Sequence, residues 1–175
     1  SKKNVIDPID IIDQFGADTA RWFVMSDSPP DRDISWSAEG VEGAWRHLNR
    51  VWRLTKEITL ELQKSGQKPT IDKDSHVDSF VISTSEFIEN FSFNKAIAKI
   101  YELTNFLANK STSIQQKIYG IKSLAILMEP FTPHLSQEIW FALGEQGFIA
   151  ETNWPDINEF DSERKETIIL PIQIN

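Results

Sequence analysis

Apolar side chains recur every three or four residues along most of this chain, and that period predicts amphipathic helices. The first is short. Asp7 serves as N-cap, Pro8 takes the first helical position, Ile11, Ile12 and Phe15 share a face, and Gly16 stops the helix. From Ala17 to Met25 a second short helix presents Ala20, Phe23 and Val24, then runs into a Ser/Asp/Pro loop over residues 26–33. The longest helix is predicted to begin after Ser37, to carry Glu39 in its positive first turn, and to end at Ser65-Gly66. Its inward stripe is Val41, Ala44, Leu48, Val51, Thr55, Ile58 and Leu62.

A polar linker over residues 67–74 precedes a helix with Val77, Phe80, Thr84, Ile88 and Phe91 inward. The next opens near Phe93 and buries Phe93, Ile97, Ile100, Thr104 and Leu107. Another starts at Ser113, with Ile114, Ile118, Ile121, Ala125 and Met128 inward, and cannot continue through Pro130. Thr132 and Pro133 then cap and open a helix that turns Leu135, Ile139 and Ala142 or Leu143 inward before Gly144. After the turn at Trp154-Pro155-Asp156, residues 168–174 are β-branched and too short for a helix, so they read as a strand whose Pro171 suits an edge. The expectation is an all-α helical bundle with a short C-terminal β-strand. It divides into residues 1–36 as a connecting segment, 37–150 as the bundle, and 151–175 as a linker and strand. Both ends read as cut from something longer.

Composition narrows the chemistry. With no Cys among 175 residues, disulfides, iron–sulfur clusters and thiolate zinc sites are excluded. No window is apolar enough to span a membrane. His47, His76 and His134 lack partners at metal or triad spacing, no glycine-rich phosphate loop is present, and Asp31 with Asp33 reads as solvated loop charge. Catalytic and metal-ligating residues are therefore expected to be absent. Asp18 reads as a helix cap, and Trp22, Trp36, Trp140 and Trp154 as packing groups at helix ends and in the loop.

The formal charge of -8 is the wrong sign for nucleic-acid binding by the whole surface, so any such role needs a local patch. One exists on the long helix. Arg46, Arg50 and Arg53, spaced four and three, share a face, with His47 and Lys56 nearby and Trp45 and Trp52 flanking. Guanidinium groups grip phosphate bidentately and indoles offer stacking planes, which suits RNA. The same residues would equally serve as a solvated basic face whose tryptophans anchor the helix.

The order of motifs adds a family. Residues 1–8 (SKKNVIDP) and Phe15-Gly16-Ala17-Asp18-Thr19-Ala20-Arg21 resemble the segment after the Lys-Met-Ser-Lys-Ser loop of class I aminoacyl-tRNA synthetases of the Leu, Ile, Val and Met subgroup. Residues 27–37 (DSPPDRDISWS), 40–46 (GVEGAWR), 49–54 (NRVWRL), 128–135 (MEPFTPHL) and Glu138-Ile139-Trp140 are similar to the bacterial leucyl-type enzymes, and the resemblance runs the length of the chain. It implies an anticodon-binding helical domain, with Ser1 as the last residue of the signature loop. It also implies a cytoplasmic, monomeric parent that uses ATP and Mg to attach leucine to tRNA(Leu), with catalytic, editing and C-terminal domains as neighbours. The fragment itself, without the loop lysine and the nucleotide core, is expected to bind and not to catalyse, and to hold no cofactor. Because leucine tRNAs differ in anticodon, grip on backbone and shape is expected over base readout. The alternative is a helical scaffold that makes protein or interdomain contacts only.

Overall fold

The computed structural model describes residues 7–27, 29, 36–66 and 73–155. Ser1, most of the proline loop, the linker over 67–72 and the expected strand over 168–174 lie outside these residues. Seven α-helices follow one another: α1 (Pro8–Phe15), α2 (Ala17–Asp27), α3 (Ala38–Ser65), α4 (Ser75–Glu89), α5 (Phe93–Leu107), α6 (Ile114–Met128) and α7 (Pro133–Ala142), then a 3-10 turn at Ile149–Glu151.

The helix ends follow local chemistry. Asp7 accepts from the Ile9 amide and Ser37 from that of Gly40, while Asp74 caps α4 through the His76 and Val77 amides. Ser113 and Gln116 form a reciprocal capping box at the start of α6. Gly66 closes α3 in the left-handed region at φ 63°.

The 28-residue α3 is about 42 Å long and is the spine of the fold. It packs against α2, α6 and α7, and α4, α5 and α6 pack on one another. One core cluster runs through all of them and includes Val41, Val51 and Ile58 of α3, Ile97, Ile100 and Leu103 of α5, and Ile121 and Leu124 of α6. Burying each such side chain stabilises the fold by about 1.5–3 kcal/mol. Residues of the segment before α3 enter that cluster: Trp22 is 0% exposed and Phe23 3%.

Two of the inward threonines are satisfied within their own helices, whereas the buried Thr84 hydroxyl has no hydrogen-bond partner among the described residues. Thr55 donates to the Val51 carbonyl at 3.0 Å and Thr104 to Ile100 at 2.8 Å, so neither needs a partner from another element.

Three sequence expectations change. Trp22 lies in the core centre and not at a helix end, where Phe131 and Tyr101 meet it edge-on. Phe91 is 69% exposed because α4 ends at Glu89 and Phe91 turns out at φ 53°. Thr132 makes no side-chain cap to α7 and instead donates to the Met128 carbonyl at 3.2 Å.

Candidate nucleic-acid interface

The outward face of α3 is set by what its inward face must bury. Val41, Ala44, Leu48, Val51, Thr55 and Ile58 point into the bundle, and at 100° per residue this leaves Arg46, Arg50 and Arg53 together on the opposite side. Arg46 and Arg53 are exposed and Arg50 is half-buried. The ion pairs of the described residues are Arg21–Asp18, Lys99–Glu102, Lys117–Glu61, Lys122–Glu145 and the Asp contacts of His76 and His134. None involves the three arginines. Their cationic groups therefore face solvent without a carboxylate partner among the described residues, which keeps them available to an external anion.

Arg50 is also held in place. Its Nη1 donates to Asn105 Oδ1 at 2.7 Å, reaching across from α3 to α5. The sequence alone gave no sign of Asn105, because the bond links residues 55 apart and needs the two helices side by side.

His47 is placed differently from the expectation. It is 4% exposed, stacked 5.2 Å from Trp22 and 3.8 Å from Tyr101 between ring centroids. Burial pushes its imidazole down to about 3, and the positive charge of Arg50 adds to the effect. At neutral pH it is uncharged, its Nε2 has no hydrogen-bond partner, and it belongs to the core beneath the ridge rather than to the ridge.

Trp45, Asn49 and Trp52 border the ridge on its other side. Trp45 is 43% exposed, and Lys56 Nζ sits 4.8 Å from the Trp52 ring centroid, where the ring face attracts it. Trp45, Leu48, Asn49 and Trp52 form one wall of an open cleft of about 410 Å³, with Phe15, Asp18 and Thr19 opposite and Leu135 and Glu138 closing it. All six expected site residues thus lie on α3, with the arginines on one flank, the indoles on the other and Lys56 against Trp52.

Asp18 is the hinge-pin of that cleft. Its Oδ2 accepts the Leu135 amide at 2.7 Å, its Oδ1 lies 2.9 Å from His134 Nδ1, and it pairs with Arg21. A carboxylate at the positive end of α7 satisfies an orphan amide and complements the helix dipole. Asp18 was expected to cap its own local helix, but it lies in the first turn of α2 and caps α7, 117 residues away in sequence. Among the described residues, no group of three or more His, Cys, Asp or Glu side chains could hold a metal ion, and no helix is long and apolar enough to cross a membrane.

The bundle thus carries on α3 a basic ridge without carboxylate partners among the described residues, beside the exposed indole of Trp45 and the half-buried indole of Trp52. The family profile described as "Anticodon-binding domain of tRNA ligase" matches residues 74–175, and the chain belongs to that family. Over its whole length it is 45% identical to a leucine-tRNA ligase of Cereibacter sphaeroides, 42% to one of Dinoroseobacter shibae and 42% to one of Zymomonas mobilis. It spans about a fifth of the length of these curated relatives. Among solved structures, the Agrobacterium radiobacter K84 LeuRS in a ternary complex with tRNA and LeuAMS superposes with a TM-score of 0.79 at 28% identity, over 89% of this chain and 21% of that one.

Proposed function

We propose that this chain is the tRNA-binding helical domain of a cytoplasmic, monomeric leucine-tRNA ligase, and that the α3 ridge grips the backbone of tRNA(Leu). The observation that carries the reading is the set of three unpaired guanidinium groups on one face of α3 in a chain of formal charge -8. Arg46, Arg50 and Arg53 make phosphate contacts, Lys56 adds charge, and Trp45 and Trp52 offer stacking planes. Identity to leucine-tRNA ligases over the whole chain supports the choice of tRNA as ligand. The attachment of leucine with ATP and Mg belongs to the rest of such a ligase, of whose length this chain spans about a fifth. This domain positions the nucleic acid through its shape and backbone, which suits a set of tRNAs with different anticodons.

In the complete ligase, changing Arg46, Arg50 and Arg53 to Gln is expected to weaken tRNA(Leu) binding about tenfold to a hundredfold, equivalent to about 1.4–2.8 kcal/mol. Leucine-dependent ATP–pyrophosphate exchange is expected to be unchanged, because no arginine of the ridge touches that chemistry. Unaltered tRNA affinity in the triple variant would favour the domain as a scaffold between its neighbours.

A further inference from the structure

We infer that Arg50 and Asn105 together form a two-helix oxyanion site for one phosphate of the RNA backbone, in which Asn105 positions the guanidinium and adds a donor of its own. The inference rests on the tRNA-binding reading above and names a residue which that reading does not contain.

The chemistry of the contact fixes its polarity. A guanidinium has five N–H donors and no acceptor, so the amide of Asn105 must turn its oxygen toward Arg50 and its NH2 away. Neither side chain makes another hydrogen bond among the described residues. The remaining N–H groups of Arg50 and the two of Asn105 Nδ2 are thus left beside one another at the water boundary, and Asn105 is exposed. A cluster of donors without an acceptor matches an ion that carries acceptors only, and a phosphodiester presents two such oxygens.

Two further features make the pair a built site and not a chance contact. An arginine side chain loses rotamer freedom when it grips a ligand, and the bond from half-buried Arg50 to Asn105 removes part of that cost before any ligand arrives. The carboxylate one turn before Asn105 on α5 is also occupied: Glu102 accepts from Lys99 at 2.7 Å.

The test is titration of the complete ligase with a tRNA(Leu) transcript over a salt series. Asn105→Asp keeps the acceptor but sets a carboxylate against Arg50. It is expected to lower the slope of log affinity against log salt by about 0.7–0.9, the amount lost when one phosphate contact is removed. Arg50→Gln is expected to give the same loss, and the double variant no more than either single one, because both act on one contact. Asn105→Ala is expected to weaken binding about threefold to tenfold with the slope retained. A structural asparagine would instead lower the melting temperature and leave the slope of the Asp variant at the wild-type value. A wild-type slope for Asn105→Asp, with a reduced one for Arg50→Gln, overturns the two-helix site and leaves the ridge intact. A wild-type slope for both overturns the site and removes Arg50 from the RNA contact, leaving Arg46 and Arg53 to be judged by the triple variant. Leucine-dependent exchange and melting temperature verify that each variant is folded.

Discussion

His47 and Arg50 lie three residues apart on one helix, yet one is sealed among aromatic rings and the other reaches solvent. The separation has a thermodynamic signature. The His47 pKa is about 3 in the fold against an ordinary 6.5, so between those values the unfolded chain binds the extra proton and stability falls as pH falls. At pH 4.5 this destabilises the fold by about 2–3 kcal/mol relative to pH 7. Asp74 adds to the same trend, since burial raises its pKa but bonds from Gln116 and the Val77 and His76 amides outweigh that and lower it. Replacing His47 with Phe keeps the ring stack and removes the titration. Denaturant unfolding at pH 7 and 4.5 is expected to show a smaller stability difference in the variant. An equal difference would mean that His47 does not titrate between these values. The sequence put His47 beside the arginines because helical spacing alone places it near them. Only the ring neighbours from α2 and α5 reveal which side of the water boundary it occupies.

At the scale of helices and their junctions, the chain was largely legible, and the reason is that caps act within a few residues. Asp7 with Pro8, Ser37 with Gly66 and Ser113 with Gln116 begin or end helices where their local chemistry says they should. What was not legible is what depends on neighbours distant in sequence. Phe91 was expected inward by period, but Ser92 donates to the Phe87 carbonyl at 2.7 Å and Phe91 to Ile88 at 3.0 Å, the pair of bonds that ends a helix with its next residue in the left-handed region. A phenylalanine there is strained. Phe91→Gly is expected to raise stability by about 0.5–1 kcal/mol, measured by thermal unfolding, and a loss would show that its edge contact with Phe93 outweighs the strain. Asp18 is the counterpart at the start of α7. Asp18→Ala is expected to cost about 0.5–2 kcal/mol and to speed hydrogen exchange at the Leu135 amide, whereas unchanged protection there would assign the capping to another group. The α3–α5 bond between Arg50 and Asn105 belongs to the same class, since no spacing within either helix announces it.

For the whole molecule, the decisive quantity is where charge is free and not how much there is. The surplus of acid repels a polyanion at long range, while salt screens that repulsion over about 8–10 Å under ordinary conditions. Close contact is then governed by cations that carry no internal carboxylate partner, and the α3 ridge is such a set among the described residues. Four other acids are paired within the fold: Glu61, Glu145, Glu102 and Asp18 with Lys117, Lys122, Lys99 and Arg21. The most direct measurement is the salt dependence of tRNA(Leu) affinity for the complete ligase against its Arg46, Arg50 and Arg53 to Gln variant. Three lost phosphate contacts should flatten the logarithmic slope by about 2–3. Identical slopes in the two proteins would contradict the ridge as the RNA contact.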